Sequence, residues 1–480
     1  MKEFSVKELA DIISAHVRCD TEHELYFTGV SIDSRTTKPG DCFFAIAGEK
    51  FDGHDYIDDA FTKGAVCAVV SRDISHDKPI LKVADTVKAL GEFAREYRNR
   101  AGYKVIAITG SAGKTTTKQI AHHVLSRHFN THSSPKSFNN NIGLPLTLLG
   151  AEPDCEIVIA ELGSNHPGEI AYLTRIAEPD IAVVTNIHPA HLEGFGDLQT
   201  ITQEKLSISE GLKPGGILII NGDFDGLVTA CRAGGLEFET FGKSGDSDYR
   251  VKSIIPEGSH SRFTIDGRAI YLPLPGPGNV ENALAAWTVC SRLGLTIEDF
   301  AEAVETIPPV SMRAELLQIG TITVLNDCYN ANPASMKNAL DILAGLDPTA
   351  ERRLVFICGD MAELGQRSDN LHTELGAAVS QGGVSLLLAV GRFAEITAEA
   401  AKAADKFNSD VRKKGNIQAK CFKDALSVCN KLHEFIKDYD IILVKGSRTT
   451  GLEIVVEKQK ELFGKSEELR IHASQQGCCE

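Results

Sequence analysis

Three things are missing from this 480-residue sequence, and each closes off a class of explanation. There is no CxxC pair: twelve cysteines are scattered, and only Cys478 and Cys479 are adjacent. Neither a zinc site nor a small disulfide scaffold is signalled. The cysteines read instead as small buried apolar residues of a chain kept reduced in the cytoplasm. There is no surplus of positive charge, because 65 acidic residues against 50 basic ones leave a net charge of -15. That balance argues against broad attraction to nucleic acid or an anionic membrane, so an anionic ligand needs a local pocket. Finally, no apolar run is long enough to span a bilayer. The opening MKEFSVKELADIISAHV interrupts its apolar residues with Glu8 and Asp11 at helical spacing and lacks a signal-peptide core. Internal repeats and low-complexity segments are absent as well.

What is present is a soluble α/β pattern on a chain too long for one hydrophobic core; at about 150 residues per domain, roughly three domains are expected. Residues 1–100 mix short strand-like runs (CFFAIAG, AVCAVV) with helical ones around the turn-rich SRTTKPGD, and read as a small α/β domain. From residue 104 the β-branched runs VIAITG, EIVIAELG, IAVVTN and GILIING alternate with helical segments, which predicts a parallel, doubly wound sheet in a domain over 101–310. The stretch from Gly242 to Asn279 reads as a β-rich appendage with Gly-rich turns. The Pro pair of IPPVSMR marks a boundary near 310. Beyond it, in 311–480, ITVLNDCYN, RLVFICGD, SLLLAVG and IILVKGS predict a third, doubly wound domain, ending in a frayed HASQQGCCE tail.

The strand VIAIT runs into Thr109-Gly110-Ser111-Ala112-Gly113-Lys114-Thr115-Thr116 and then a helical KQIAHHVLSRH. Glycines let backbone approach a phosphate, helix amides face the anion, Lys114 neutralises charge and Thr115 can ligate magnesium. The match to the general phosphate loop is imperfect, since Ile108 stands where its first glycine belongs. This pattern predicts ATP or GTP binding and leaves the reaction open. The next strand ends in Glu161-Leu162-Gly163-Ser164-Asn165, and the one after in Ile187-His188-Pro189-Ala190-His191. Alone, Glu161 is equally a capping or solvated residue, and a loop histidine is more often merely exposed. Three consecutive strand ends bearing a phosphate loop, a carboxylate and a histidine, however, suit metal-assisted phosphoryl transfer.

These residues, together with DSRTTKPGD, FDGHDYI, NNNIGLPLTLL, ELGSNHPGEI, TNIHPAHLEGFG, NALAA, NDCYNANPASM, CGDMAELG and VKGSR, resemble the Mur ligase family over nearly the whole chain. DGHDYI, SNHPGEI and DCYNANPASM point to the branch that joins D-Ala-D-Ala to UDP-MurNAc-tripeptide, rather than to the ligase adding the third amino acid or to folylpolyglutamate synthases. The resemblance implies a UDP-sugar domain, a central ATPase and a C-terminal domain receiving the amine. It implies ATP with magnesium, two ions in all, and an acyl-phosphate intermediate formed by a cytoplasmic monomer. A different class, a phosphate-loop switch without amide-forming chemistry, predicts phosphate release independent of those substrates.

Carried over residue by residue, the resemblance makes Lys114 the phosphate-loop lysine within the nucleotide-binding run Gly110, Ser111, Ala112, Gly113, Thr115 and Thr116. Thr115, Glu161 and His191 become metal ligands, with His191 preferred to His188 because it sits in AHLEGFG. Lys205 falls where family members carry a carbamylated lysine, although without the resemblance it reads as a solvated helix lysine. Asn282 matches an adenine-side asparagine, Arg313 a γ-phosphate arginine, and Asp327 with Asn330 nucleotide contacts across the cleft. Substrate contacts are implied for Ser34, Arg35, Asp52, Gly53 and His54 in the first domain and for Asn139, Asn140 and Ser164 in the second. Lys445, Ser447 and the Asp360–Leu364 turn are implied for the amine pocket. Two departures stand out: Pro277-Gly278 replace an Arg-His pair, and Ser137 replaces an asparagine.

Overall fold

The computed structural model describes residues 1–18, 24–135, 137–406 and 416–464, so Cys19, Cys478, Cys479 and the HASQQGCCE tail lie outside the described residues. A strand covered on both faces must carry apolar side chains throughout while its neighbours satisfy its backbone. Lys104–Thr109 meets that requirement, with Val105, Ile106, Ala107 and Ile108 fully buried. It lies inside a nine-stranded sheet, between Ile157–Glu161 and Ile181–Val184, to both of which it is parallel. Ile217–Asn221 and Glu239–Gly242 extend the sheet in parallel on the Ile181–Val184 side, and Thr131–Ser133 closes the other edge. The three strand ends expected to carry chemistry therefore sit on adjacent strands.

The predicted appendage is not separate. Glu239–Gly242 pairs with Tyr249–Glu257, which begins an antiparallel meander through His260–Ile265 to Arg268–Leu272, so the same hydrogen-bonded sheet continues to its far edge. The meander's inner residues Val251, Phe263, Ile265, Ile270 and Leu272 join the core beneath the Pro277–Arg292 helix.

Flanking this sheet are two further α/β sheets, and the fold is a three-domain α/β architecture. The first domain has five strands in the order His16–Arg18, Ile80–Lys82, Cys67–Val70, Asp41–Phe44 and Gly29–Ser31. The third has six strands in the order Glu315–Ile319, Ile322–Asn326, Ile441–Lys445, Leu354–Gly359, Leu386–Val390 and Gln418–Phe422. Its four inner strands are the ones the apolar runs predict. The outer two, Glu315–Ile319 and Gln418–Phe422, are half exposed and lack such a run, which is why hydrophobic patterning passes over them. Pro308 and Pro309 fall between the Ile297–Val304 helix and Glu315–Ile319. Every cysteine among the described residues is a free thiol, and all but Cys421 are buried. Among the described residues no helix is long and apolar enough to cross a membrane.

The first domain is joined to the second through the Thr86–Ala101 helix. A Cβ at Gly91 would stand only 2.9 Å from Ile176 Cδ1, so glycine lets this helix lie close against Glu169–Ala177. Farther along, the fully buried Arg98 donates to the carbonyls of Ala177 (3.0 Å) and Glu178 (2.6 Å) and pairs with Asp180 (3.1 Å). Asp180 in turn accepts from the Val105 amide at 2.8 Å, tying the helix to the central strand. Arg98→Ala removes the guanidinium that these two carbonyls and Asp180 share in a buried position, and is expected to lower folding stability by roughly 3 kcal/mol. The check is the urea midpoint, which should fall; an unchanged midpoint would contradict the assignment.

Candidate active site

The site begins where Lys104–Thr109 ends. Gly110 adopts φ 145° and Gly113 φ 81°, backbone that side chains disfavour, and the chain then enters the Lys114–Leu125 helix. A Cβ at Gly110 would collide with Thr185 Oγ1, and one at Gly113 with Asn282 Oδ1. The loop is fastened to the neighbouring strand end by Asn186, whose Oδ1 accepts from the Ala112 amide (2.8 Å) and whose carbonyl accepts from the Ser111 amide (3.1 Å). Thr185 donates to the Ala112 carbonyl at 2.6 Å. This holds the first turn of the helix open toward a cleft of about 1060 Å³ lined by Ser111 through Thr116. Backbone amides at a helix N-terminus beside a lysine are an anion site.

Glu161 forms the floor. It is 1% exposed, which excludes the solvated reading, and its oxygens take side-chain donors rather than helix amides. Thr115 donates to its Oε2 at 2.8 Å and Asn139 Nδ2 to its Oε1 at 2.9 Å, while Lys118 Nζ lies 3.8 Å from Oε2. Burial opposes ionisation, but Lys114, Arg313, Lys118 and the Thr115 hydroxyl together hold the carboxyl below the usual carboxylate range. Burial, reinforced by Arg313 and opposed by Glu161, lowers the Lys114 ammonium. Lys114 Nζ donates to the Gly110 carbonyl at 2.7 Å, folded back over its own loop.

His191 and His188 both line the cleft. His188 packs edge-on against Phe224 (5.0 Å between centroids), and its amide and carbonyl are both bonded to Ser111 Oγ. His191 adopts φ 53° at the start of the short Leu192–Phe195 helix, and its Nδ1 contacts Glu363 of the third domain. Burial pushes the pKa of each imidazole down.

Lys205 is not a solvated lysine. It is 2% exposed, donates to Ser164 Oγ at 2.7 Å, and its ammonium lies 5.5 Å from the Phe195 ring centroid. Burial, and then repulsion by Lys114, push its pKa down to about 7. Ser164 lines the cleft, so the lysine reaches it at one remove.

From the third domain come Arg313, Asp327, Asn330 and Lys445, all on the cleft wall. Arg313 stands between Met312 (φ 57°) and Ala314 (φ 50°), two residues in the left-handed region, and stacks 4.3 Å over the ring of Tyr329. Lys445 is buried, pairing with Asp327 Oδ2 at 2.6 Å and donating to the Asn330 carbonyl at 2.9 Å. It serves there as a brace for the 327–330 turn. Asn282 accepts weakly from Thr117 and donates to Asn279, both at 3.3 Å. Asn140 lines the cleft while its Oδ1 caps the Gly143–Leu149 helix through the Gly143 amide at 2.8 Å.

Other predicted residues lie elsewhere. The Asp360 carboxylate accepts from the amides of Arg392 (2.7 Å) and Phe393 (3.0 Å), opening the Ala394–Asp405 helix, and lines neither cavity. Ser447 accepts from the Ala362 amide at 2.7 Å and lines a second, smaller cavity of about 190 Å³. Ser34, Arg35, Asp52, Gly53 and His54 line neither. Arg35 forks onto Asp33, and His54 bridges Asp52 Oδ1 (2.6 Å) and the Ser71 amide (2.9 Å). Because the Ser71 N–H donates to Nε2, the His54 proton sits on Nδ1 facing Asp52. Sequence reasoning missed Asn186, Lys118 and Tyr329. Lys118 was within reach of it, since i,i+4 spacing places it on the same helix face as Lys114.

Across this cleft, oxygen donors and cations meet at a helix N-terminus between two domains, the arrangement of a nucleotide-dependent phosphoryl-transfer enzyme. The chain belongs to the Mur ligase family. Residues 26–98 match the family model of the Mur ligase family catalytic domain, 108–290 that of the Mur ligase middle domain, and 312–448 that of the Mur ligase glutamate ligase domain. It is 33% identical to the UDP-N-acetylmuramoyl-tripeptide--D-alanyl-D-alanine ligase of Bacillus subtilis, over 94% of this chain and 97% of that protein. It is also 33% identical to the ligase of the same name from Escherichia coli, over 96% and 99%. The structure is similar to a crystal structure of MurF from Acinetobacter baumannii, with a TM-score of 0.86 and 29% identity over 96% of this chain and 99% of that one. MurF from Thermotoga maritima in complex with ADP matches with a TM-score of 0.78 and 28% identity, over 91% and 98%.

The approach of Gly113 to Asn282 gives a direct check. Gly113→Ala should weaken ADP binding by about tenfold or more, because the loop must withdraw from its helix to relieve the collision. Calorimetric titration with ADP reads the change; wild-type affinity in that variant would show that the loop does not use this conformation to bind.

Proposed function

We propose that this chain joins D-Ala-D-Ala to UDP-MurNAc-tripeptide through an acyl phosphate, giving UDP-MurNAc-pentapeptide, ADP and phosphate in peptidoglycan precursor synthesis. The observation that carries the reading is full-length similarity to ligases of that name together with a cleft whose floor is the Thr115–Glu161 pair. We take residues 1–100 as the domain for the UDP-sugar, 101–310 as the ATPase and 311–480 as the domain that brings the amine, acting as a monomer in the cytoplasm.

Gly110–Thr116 hold the ATP phosphates, with Lys114 swinging from the Gly110 carbonyl onto the terminal phosphates and Asn282, Arg313, Asp327 and Asn330 placing the rest of the nucleotide. Among the described residues no group of three or more His, Cys, Asp or Glu side chains is arranged as a metal site by itself. That suits magnesium, which keeps several ligands as water and phosphate and needs few from protein. The ionised Glu161, the Thr115 hydroxyl and His191 are the residues that would hold it. Bound there, the cation would neutralise the charge that builds on the transferring phosphoryl group. The peptide carboxylate attacks the γ-phosphorus and ADP leaves; the amine then attacks the acyl carbon, loses a proton, and inorganic phosphate departs. The protein contributes alignment and charge neutralisation, with Arg313 held toward the phosphoryl oxygens by Tyr329.

The assay combines purified protein, ATP, magnesium, D-Ala-D-Ala and UDP-MurNAc-tripeptide with either lysine or diaminopimelate third. Phosphate release should require both acceptor and amine. Release without them would point to a switch module, and AMP as a product would exclude the acyl phosphate.

A lysine whose amine is half neutral near pH 7 can add carbon dioxide, turning a cation into an anion able to support a second magnesium. We assign that role to Lys205. With 13C-labelled bicarbonate, a carbamate signal should grow from about pH 6 to about pH 8 as the ammonium deprotonates. It should vanish in Lys205→Ala, whose turnover short carboxylic acids should partly restore. A signal independent of Lys205 would overturn the assignment.

A further inference from the structure

The segment that follows Leu354–Gly359 in the third domain reaches the histidine station of the second. Glu363 adopts φ 62° and His191 φ 53°, so two non-glycine residues in the left-handed region face each other across the domain boundary. The Glu363 carboxylate meets His191 Nδ1, and the Glu193 amide donates to the Glu363 carbonyl at 3.0 Å. Glu363 is held from its own side as well. The Ala362 amide donates to Ser447 Oγ (2.7 Å), the Met361 amide to His372 Nε2 (3.0 Å), and the Ser447 amide to the Asp360 carbonyl (2.9 Å). Gly365, at φ 56°, lies 3.5 Å from the Glu193 Cα by its would-be Cβ, completing a close fit of the two loops. The carboxylate is thus carried on a braced turn, whereas its partner imidazole lines the nucleotide cleft.

An imidazole binds a cation through a ring nitrogen that carries no proton, and which nitrogen that is depends on what the other one donates to. A carboxylate on Nδ1 draws the proton there and leaves the Nε2 lone pair free. We propose that Glu363 is a positioning residue for His191: it fixes the imidazole with its proton on Nδ1 and its Nε2 ready for magnesium, so that docking of the third domain completes the metal site of the second. The proposal rests on the reading of His191 as a metal ligand. Glu363 also lines the small cavity beside Ser447, so the test reads the metal and the amine substrate separately.

The test uses the full chain with ADP and Mn2+ as a paramagnetic stand-in for magnesium, with free Mn2+ read by electron paramagnetic resonance. Glu363→Ala should weaken Mn2+ binding to the ADP complex by about tenfold or more, the range typical of lost carboxylate–histidine–metal partners. Glu363→Gln, whose amide oxygen still accepts from Nδ1, should recover most of that loss, and KM for D-Ala-D-Ala should stay within about twofold in both variants. His191→Ala should weaken Mn2+ binding, and adding Glu363→Ala to it should change nothing further, because the two act as one unit. Unchanged Mn2+ affinity in Glu363→Ala, beside a weakened His191→Ala, overturns the positioning role alone. A raised KM for D-Ala-D-Ala with intact Mn2+ binding assigns Glu363 to the amine pocket instead and also overturns it. Wild-type Mn2+ affinity in His191→Ala removes the metal-ligand reading of the histidine, and the proposal with it.

Discussion

An ionised carboxylate with 1% exposure is the constraint around which the cleft is organised. Left unpaired, a buried charge costs several kcal/mol, so Glu161 can exist as an anion only where cations and donors surround it. They come from three separate parts of the chain: Lys114, Thr115 and Lys118 from the helix after the phosphate loop, Asn139 from the loop before Gly143–Leu149, and Arg313 from the third domain. The balance is reciprocal, since Glu161 also limits how far burial depresses the Lys114 and Lys118 ammonium groups. A change to any of these groups alters the surroundings that keep Glu161 ionised.

Domain closure bears on the same balance. Arg313 reaches the cleft only with the third domain in place, and the contacts that seat that domain fall on the phosphate loop and its neighbours. Asn332 Nδ2 donates to the Ser111 carbonyl at 3.4 Å, and the Gly278 amide donates to Asn338 Oδ1 at 3.1 Å. The second contact gives the departure at Pro277-Gly278 a physical meaning. Proline suits the first turn of the Pro277–Arg292 helix, whose opening amide has no partner in any case, and a Cβ at Gly278 would crowd Asn338 to 2.9 Å. A side chain at 278 would displace the Asn338 amide and with it the contact to the Pro333–Gly345 helix.

Much of this was legible in the sequence because buried parallel strands leave a strong apolar signature and a phosphate loop needs glycines at set places. Lys104–Thr109, Ile157–Glu161, Ile181–Val184 and the four inner strands of the third domain follow from that signature. Half-exposed edge strands do not, and neither does the hydrogen bonding that merges the meander into the central sheet. Side-chain environment was the harder quantity. Lys205 has the pattern of a surface lysine, yet Ser164 and Phe195, distant in sequence, enclose it. Asp360 sits in a motif that suggests substrate contact, but two amides at the start of a helix claim its oxygens. In both cases the deciding partner comes from a part of the chain that no local pattern connects.

Tyr329, Asn330, Ala331 and Asn332, with His191, line both the large cleft and the small cavity beside Ser447. These shared residues form a common wall of the two chambers, and the Tyr329 ring that stacks on Arg313 belongs to it. Ligands on its two sides are therefore close enough for a single compact molecule to occupy both, which turns the second binding event into an intramolecular one. For inhibitor chemistry, two weak fragments joined over this partition gain through effective concentration what neither chamber offers by contact area alone.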